Sequence, residues 1–259
     1  MAEQYTNPLN WQLSRSLTTA AGFFVPHLSP GMSLLDCGCG PGTITLDLAQ
    51  VVAPGTVKGI DIDANSIEVA KANARDRSAL NTTFEVGDVY QLPFPDNSFE
   101  AVWMASVLQW LKSPRQALRE AFRVLKPGGV FGARDRDMSG DIIGNSDSEI
   151  RRAWALHYRF QRHDGGDFRI GSKLQTLLVQ TGFENANTTA SYENHEGTWT
   201  ADFFCRNLRW ERPVATIVSL GWADHATLAK MIDVWQTWGR DPRSFYCIAR
   251  CEVVGWKPK

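Results

Sequence analysis

The sequence predicts an α/β protein built on a mostly parallel sheet with helices on both faces. Three observations support this fold class: strand-like apolar runs alternate with helix-like runs, a glycine turn joins the first strand to a helix, and acidic residues end several strands. Strand, helix and strand in this order imply right-handed crossovers between parallel strands. Ligands of such sheets bind beyond the carboxyl ends of the strands.

The first strand, at about residues 33–36, runs into the glycine turn Asp36-Cys37-Gly38-Cys39-Gly40-Pro41-Gly42. Three glycines at alternate positions let the backbone pass very close to a ligand, and a helix from Thr43 to Val52 follows. A dinucleotide-binding turn would need glycine at position 43, which is threonine. The spacing therefore favours another ligand, and an ordinary strand-to-helix turn is the plain alternative.

Four further strands are predicted, and each ends beside a small or polar residue. They span about 57–61, 82–87, 99–104 and 130–134, and they end near Asp61, Asp88, Ala105 and Arg134. Asp63 is a predicted helix cap, and Ser113 with Pro114 begins the helix before the fifth strand. Because the carboxyl ends of parallel strands share one edge, these strand-end residues and Asp36 are predicted to meet there.

The alternation changes after Asp135. Residues 137–148 are typical of an exposed loop, 149–161 and 171–181 of helices, and 183–192 and 244–254 of strands. The segment between residues 198 and 240 contains five tryptophans, at positions 199, 210, 222, 235 and 238. These side chains line an aromatic pocket or fill a core, and the pattern allows both.

Charge and composition argue against several classes of partner. The 259 residues include 28 acidic and 27 basic side chains, so no net field favours nucleic acid or a membrane surface. We find neither a targeting segment at the N-terminus nor an apolar run long enough to cross a membrane. Five cysteines, two of them in the glycine turn, favour a reducing, cytoplasmic setting, and their spacing predicts no metal site.

The glycine turn resembles the first motif of class I S-adenosylmethionine-dependent methyltransferases, in which an acidic residue precedes the glycines. Later segments resemble, in the same order, small-molecule methyltransferases of the ubiquinone and menaquinone biosynthesis type. These segments are Gly87-Asp88-Val89, Phe99-Glu100-Ala101-Val102, Val107-Leu108-Gln109-Trp110-Leu111 and Arg123-Val124-Leu125-Lys126-Pro127-Gly128-Gly129. The resemblance is close over residues 31–135 and looser from Arg15 to Pro30.

This resemblance implies a Rossmann-like methyltransferase fold, with a sheet of seven mostly parallel strands and an inserted helical lid. It implies a single domain over residues 1–259. Residues 1–30 would form an N-terminal helical cap and 31–135 the cofactor-binding core. Residues 136–240 would hold the substrate lid and the remaining core, and 241–259 the final strand.

The resemblance also implies S-adenosylmethionine as the cofactor. The residues implied to bind it are Asp36, Gly38, Gly40, Gly42, Asp61, Ile62, Asp88, Val89, Ala105, Gln109 and Arg15. Asp61 would accept the ribose hydroxyls, Asp88 and Val89 would bind adenine, and Arg15 would pair with the carboxylate of the cofactor. Without the resemblance, the plain interpretations are a helix cap for Asp61, a turn for Asp88 and a surface cation for Arg15.

Four further residues are predicted to line the substrate pocket: Tyr5, Trp110, Arg134 and Asp135. The family often has histidine where this chain has Trp110, so no role of that imidazole is carried over. Trp110 walls the methyl-donor pocket or packs in the core, and Arg134 with Asp135 faces the acceptor or forms an exposed ion pair. We assign no catalytic base.

The predicted activity is the transfer of a methyl group to oxygen, nitrogen or carbon of a small metabolite, with secondary metabolism as the setting. The alternatives are a cofactor-binding protein that transfers no methyl group, a nucleic-acid or protein methyltransferase, and an NAD-dependent oxidoreductase. Ala105-Ser106-Val107 lacks the Asn/Asp-Pro-Pro expected of an enzyme that methylates nucleic-acid amines. The expected partner is therefore a small molecule rather than nucleic acid or a membrane, and a homodimer is compatible with the sequence.

Overall fold

The structure, a computed structural model, describes residues 15–259. The α-helices of this part of the chain are α1 (Leu17–Ala20), α2 (Thr43–Val52), α3 (Ala64–Asp76), α4 (Pro114–Val124), α5 (Ser148–His163), α6 (Leu174–Thr181), α7 (Gly197–Asn207), α8 (Glu211–Ser219) and α9 (His225–Arg240). Its strands are β1 (Leu34–Cys37), β2 (Val57–Asp61), β3 (Thr82–Val86), β4 (Phe99–Ala105), β5 (Leu125–Arg136), β6 (Ile142–Ile143), β7 (Glu184–Glu196) and β8 (Phe245–Trp256).

The described residues fall into two compact units. The first unit contains the residues up to Asp135 together with 171–189 and 251–259. Its seven strands are ordered β3-β2-β1-β4-β5-β8, with β7 also paired to β8. Leu34 of β1 lies beside Val57 of β2 and Ala101 of β4 in parallel register. The predicted fold, a largely parallel sheet of about seven strands surrounded by helices, is confirmed.

The core of the first unit is centred on Trp103, which is fully buried in β4. The ring of Phe24 stacks on Trp103 with a centroid separation of 5.1 Å. A Cβ atom at Gly132 of β5 would lie 2.4 Å from Cδ2 of Phe24. Glycine at 132 therefore leaves room for the ring of Phe24, so the segment before β1 contributes to the core.

The second unit contains residues 136–170 and 190–250, with helices α5, α7, α8 and α9. Its short strand β6 pairs with β8 in antiparallel register, with Ile142 beside Cys247 and Ile143 beside Tyr246. Trp235 is fully buried and stacks on Phe204 at a centroid distance of 4.4 Å. The sequence left open whether its five tryptophans between 198 and 240 fill a core or line a pocket. Trp235 and Trp238 belong to a core, whereas Trp199, Trp210 and Trp222 are only partly buried.

Local sequence signals predicted most element boundaries in the first unit. The helix from Thr43 to Val52 and the strand from Val57 to Asp61 are confirmed, and Asp63 caps α3 by accepting from the amides of Asn65 and Ser66. The fifth strand was predicted too short, since β5 begins at Leu125 rather than at 130. None of the helices within residues 15–259 combines the length and apolar character needed to span a bilayer.

Lys257, directly after β8, helps to explain why β5 begins earlier than predicted. The backbone of Gly128 donates to the carbonyl of Lys257, and the amide of Lys257 donates to the carbonyl of Gly129. Its ammonium group also donates to the carbonyls of Leu125 at 2.7 Å and Phe122 at 2.9 Å, at the C-terminal end of α4. Lys257 lies far from residues 122–129 in sequence, so these hydrogen bonds could not be foreseen from the local pattern. The segment 126–129, which reads as a turn, is therefore part of β5.

Candidate active site

The glycine turn connects β1 to α2 at the carboxyl edge of the first unit's sheet. Gly38, Gly40 and Gly42 have φ values of 77°, 52° and 78°, a left-handed conformation that side-chain-bearing residues rarely adopt. A Cβ atom at Gly38 would lie 2.4 Å from Cγ2 of Val107, and one at Gly42 would lie 2.9 Å from the ring of Phe84. Backbone conformation and close packing both require glycine at these two positions.

Asp36 is buried at the end of β1, directly before the turn, with only 3% of its surface exposed. Its Oδ2 atom accepts a hydrogen bond of 2.6 Å from the hydroxyl of Thr45 on α2. Burial raises the pKa of Asp36 to about 7, although the Thr45 hydrogen bond and the charge of Arg15 lower it. With this pKa, Asp36 is partly protonated near neutral pH. A cationic ligand beside it would favour the ionised carboxylate and would itself be bound more tightly.

Asp61 ends β2 and connects two turns. Its Oδ2 atom accepts from the backbone amide of Gly40 at 2.9 Å, and its Oδ1 atom accepts from the amide of Asp63 at 3.0 Å. Burial raises the pKa of this carboxyl group as well. A carboxylate has about four acceptor positions, so these backbone donors do not use all of its capacity to accept from the hydroxyl groups of a ligand.

Three further predicted cofactor-binding residues, Ile62, Asp88 and Val89, lie just after β2 and β3. Ile62 is 58% exposed, directly after Asp61, and Val89 is half-buried. Asp88 is exposed, and its Oδ1 atom accepts from the amide of Tyr90 at 2.8 Å in a local turn. Asp88 thus forms the local turn of the plain interpretation. A carboxylate has a second oxygen, which can accept from an amine.

The end of β4 leads into a buried short helix. Ala105 is the last residue of β4, and Ser106, at φ 60°, donates from its amide to the carbonyl of Arg134 at 2.8 Å. Gln109 is 3% exposed, and its backbone amide donates to Oδ1 of Asp135 at 3.1 Å. Asp135 thus fixes the segment that carries Gln109 and the half-buried Trp110.

Arg134 and Asp135 do not form an exposed ion pair. Both are buried, with 1% and 0% of their surface exposed. The Nε atom of Arg134 donates to Oε1 of Glu252 on β8 at 3.2 Å, and Oε2 of Glu252 accepts from Thr189 at 2.8 Å. The alternative that placed this pair on the surface is therefore wrong: both side chains are buried, and β5 is an interior strand between β4 and β8.

Sequence reasoning missed three residues that shape this edge: Thr45, Val107 and Glu252. Thr45 is nine residues from the carboxylate it contacts, one helical turn into α2, and the position of a hydroxyl there was the available signal. Glu252 gave no local signal, because its partner is 118 residues away. Tyr5, a predicted pocket residue, lies outside the described residues.

These groups fit the parts of S-adenosylmethionine. The ammonium and sulfonium groups are cations, the ribose offers two hydroxyl groups, and three of the five residues at 38–42 are glycines, where the backbone is open to a ligand. The buried carboxyl group of Asp36 and the half-buried one of Asp61 match the cations and the diol in chemical type. Within residues 15–259 no group of three or more His, Cys, Asp or Glu side chains is arranged to hold a metal ion.

Comparison with known proteins gives a consistent result. Residues 35–133 match the Methyltransf_11 family, the methyltransferase domain. A demethylmenaquinone methyltransferase of Lactococcus lactis is 41% identical over 195 residues, which cover 67% of this chain and 73% of that protein. A sterol 24-C-methyltransferase of Aspergillus fumigatus is 30% identical over 236 residues, covering 90% and 57%. The chain spans only 43–54% of the length of three other curated relatives.

A crystal structure of the YcgJ protein from Bacillus subtilis shares the fold, with a TM-score of 0.64 over 96% of this chain and 99% of that one. Sequence identity to that protein is 18%, so the likeness concerns the fold alone. The predicted family, the enzyme class and the cofactor are confirmed. The chain belongs to the class I S-adenosylmethionine-dependent methyltransferases, uses S-adenosylmethionine as its cofactor, and resembles the ubiquinone and menaquinone biosynthesis type.

Proposed function

We propose that this enzyme transfers a methyl group from S-adenosylmethionine to carbon of a small-molecule metabolite. The observation that carries the proposal is the buried carboxyl group of Asp36 and the half-buried one of Asp61 around a glycine turn at the sheet edge. Relatives named for demethylmenaquinone and for carbon 24 of a sterol favour carbon over oxygen or nitrogen. The near balance of acidic and basic residues supports a small acceptor rather than a polyanion.

We assign the cofactor-binding residues in three groups. The glycine turn, Asp36 and Arg15 would hold the amino-acid end, with Arg15 near enough to lower the pKa of Asp36. Asp61 would accept the ribose hydroxyls through its remaining acceptor capacity. The adenine would lie against Asp88 and Val89 at the end of β3. Ile62 after β2 and Ala105 at the end of β4 would complete the cofactor site, and Gln109 would contact the amino-acid end of the cofactor.

When bound, the cofactor supplies an electrophilic methyl group whose leaving group is a neutral thioether. The protein residues then act mainly by orientation, because holding two reactants in line removes much of the entropic barrier. Asp135 is a positioning residue, since its carboxylate is committed to the amide of Gln109. Arg134 is committed to Glu252, so neither buried residue is proposed as the base. Trp110 and Tyr5 remain proposed pocket residues.

The setting that we propose is a reducing one, such as the cytoplasm. All five cysteines are free thiols. Cys37 and Cys39 lie in the glycine turn, and burial raises the pKa of both thiols well above the ordinary value, which keeps them uncharged and poorly nucleophilic. A reducing compartment would keep the thiols of this turn from being oxidised.

Methyl-¹³C-labelled cofactor, incubated with the enzyme and a metabolite extract, tests the proposal. We expect label in a low-molecular-mass product, with a chemical shift that identifies a carbon-bound methyl group, and Asp61→Ala should strongly reduce the signal at a cofactor concentration below saturation. Asp63→Ala, which removes a helix cap two residues away, is the matched control and should retain it. Label on oxygen or nitrogen would overturn the carbon assignment, and label in protein or nucleic acid would overturn the small acceptor. Cofactor binding without any labelled product would favour the non-transferring alternative.

A further inference from the structure

A buried threonine contacts the acidic residue that precedes the glycine turn. Thr45 is the third residue of α2, which begins at Thr43. Its Oγ1 atom donates to Oδ2 of Asp36 at 2.6 Å, and 0% of Thr45 and 3% of Asp36 are exposed to solvent. Such a hydrogen bond is charge-assisted when the acceptor is ionised, so it favours the carboxylate over the neutral acid.

The hydroxyl proton of Thr45 is not used within its own helix. A threonine inside a helix commonly donates this proton to the carbonyl four residues earlier. For Thr45 that carbonyl belongs to Pro41, and it accepts from Nδ2 of Asn73 on α3 at 2.8 Å. A hydroxyl group has one proton to donate, so the contact with Asp36 commits it.

The glycine turn fixes where Thr45 lies relative to β1. Gly42 adopts φ 78° and is the N-cap of α2, and its carbonyl accepts from the amide of Leu46 at 2.9 Å. The helix therefore begins at a defined point after the turn, and its third residue reaches back to Asp36 on the strand. This hydrogen bond holds Oδ2 on the side of α2, which fixes the rotation of the carboxyl group.

Titratable groups from three other segments act on Asp36 or are affected by it. Arg15, before α1, lowers the pKa of Asp36, and Asp61, at the end of β2, raises it. The thiols of Cys37 and Cys39 have pKa values well above the ordinary one, so they stay neutral where Asp36 titrates. The hydrogen bond from α2 is the largest of the influences that favour the ionised form, ahead of the charge of Arg15.

We propose that Thr45 is a positioning residue for cofactor binding, whose hydroxyl group holds Asp36 ionised and oriented so that the carboxylate pairs with a cation of S-adenosylmethionine. The proposal rests on the proposed function only in assigning Asp36 to the amino-acid end of the cofactor. Because Thr45 is fully buried and its hydroxyl group faces Asp36, it acts through that carboxylate and not by touching the cofactor.

Calorimetric titration of the full chain with S-adenosylmethionine at pH 6, 7 and 8.5 tests this. Thr45→Val keeps the shape of the side chain and removes the donor. Losing one hydrogen bond to a charged group favours the protonated form of Asp36 by roughly a factor of ten, so its pKa should rise. Affinity should then fall by about tenfold at pH 6 and about fivefold at pH 7, but by less than about twofold at pH 8.5, where the ionised form dominates in both proteins.

The comparison is made between two proteins at each pH, so any titration of the ligand itself cancels. Thr45→Ser, which keeps the hydroxyl group, should restore most of the affinity at pH 6. Thr200→Val is the matched control, because Thr200 is also fully buried in a helix but donates to the carbonyl of Glu196 at 2.9 Å. Its ratio to wild type should not change with pH.

A loss in Thr45→Val that is the same at all three pH values would indicate a packing role and overturn the proposal. Wild-type affinity in Thr45→Val, or a loss that Thr45→Ser does not repair, would overturn it as well. In an Asp36→Asn background, Thr45→Val should introduce no pH dependence, because the titrating carboxyl group is gone. A pH dependence that persists there would assign the effect to another group.

Urea unfolding without ligand gives a second readout. The wild-type free energy of unfolding should fall as pH rises from about 4 to about 7, and in Thr45→Val the fall should continue to about pH 8, because the folded state keeps the proton longer. Thr45→Ala serves in the same way if the valine variant does not fold, and a profile identical to wild type would overturn the proposal. The acceptor atom is tested by the labelling experiment alone, so failure of carbon methylation would leave this inference standing.

Discussion

The carboxylate of Asp61 accepts a hydrogen bond of 2.9 Å from the backbone amide of Gly40, which lies 21 residues earlier in the chain. The end of β2 thus fixes the conformation of the turn after β1. We predict that Asp61→Ala weakens S-adenosylhomocysteine binding by one to two orders of magnitude, because it removes the proposed ribose acceptors and releases the turn. Isothermal calorimetry measures the change.

Asp63→Ala is the control for a local loss of stability beside Asp61. It removes the cap of α3 and should cost about 1 kcal/mol of folding free energy with little loss of affinity. An Asp61→Ala protein that is folded and binds the nucleoside with wild-type affinity would contradict the ribose assignment.

Asp36 should make both stability and cofactor affinity depend on pH. Its folded-state pKa of about 7 is above the ordinary value of 3.8, so the folded state binds this proton more tightly. The free energy of unfolding should therefore fall as pH rises from about 4 to about 7. We expect Asp36→Asn to remove this dependence, gaining about 2–4 kcal/mol relative to wild type above pH 7. Thermal unfolding across pH measures it.

The same titration should affect ligand choice. A cationic ligand favours the ionised carboxyl group, so affinity for S-adenosylmethionine should rise between pH 6 and pH 8 in the wild-type protein. Asp36→Asn should lose affinity for the sulfonium compound more than for the neutral thioether product. A wild-type affinity that is flat across this range would be inconsistent with a titrating carboxyl group near the cation.

Gly38→Ala should destabilise the fold through two separable effects. Its φ of 77° is strained for alanine, and the new Cβ would lie 2.4 Å from Cγ2 of Val107. We expect a loss of about 2–5 kcal/mol, of which Val107→Ala in the same chain should recover at least about 1 kcal/mol. Chemical denaturation of the single and double variants gives this coupling energy.

Gly31 is the matched glycine for this experiment. Its φ is 90°, but a Cβ there would have nothing within 4 Å. Gly31→Ala should therefore show only the backbone cost and no coupling to Val107→Ala. Equal losses at positions 31 and 38, with no coupling at either, would mean that the contact with Val107 is unimportant.

His157 should reduce stability in acid. Its pKa is about 3 in the folded protein against an ordinary 6.5, so the unfolded chain takes up the proton first. The free energy of unfolding should fall as pH drops below 6.5, by about 2 kcal/mol at pH 5. We expect His157→Phe to remove this component of the acid slope, measured by urea unfolding at several pH values. His163→Phe, on the exposed side of α5, should leave the slope as it is.

The sequence predicted the first unit well wherever the signal was local. Pro114 begins α4, and Gly182, with φ 106°, ends α6, as its position after an apolar helix indicated. The glycine turn and the carboxylates at 36 and 61 lie together at the ends of neighbouring strands. These features depend on residues close in sequence and on the general rule for parallel sheets.

Features that depend on distant partners were not predictable in this way. Strand β6 has two residues inside a segment predicted to be a loop, and it exists because β8, a hundred residues later, supplies its partner. The exposed-pair alternative for Arg134 failed for the same reason, since Glu252 comes from that strand. Propensity and periodicity cannot identify which distant residue fills a gap.

The position of β8 has a consequence for synthesis of the protein. The first unit receives residues 251–259 as its final contribution, and Lys257 fastens the end of α4 only then. A nascent chain with the whole glycine turn outside the ribosome still lacks the strand that completes the sheet beside β5. The cofactor-binding half should therefore complete its sheet only after residues 251–259 have left the ribosome.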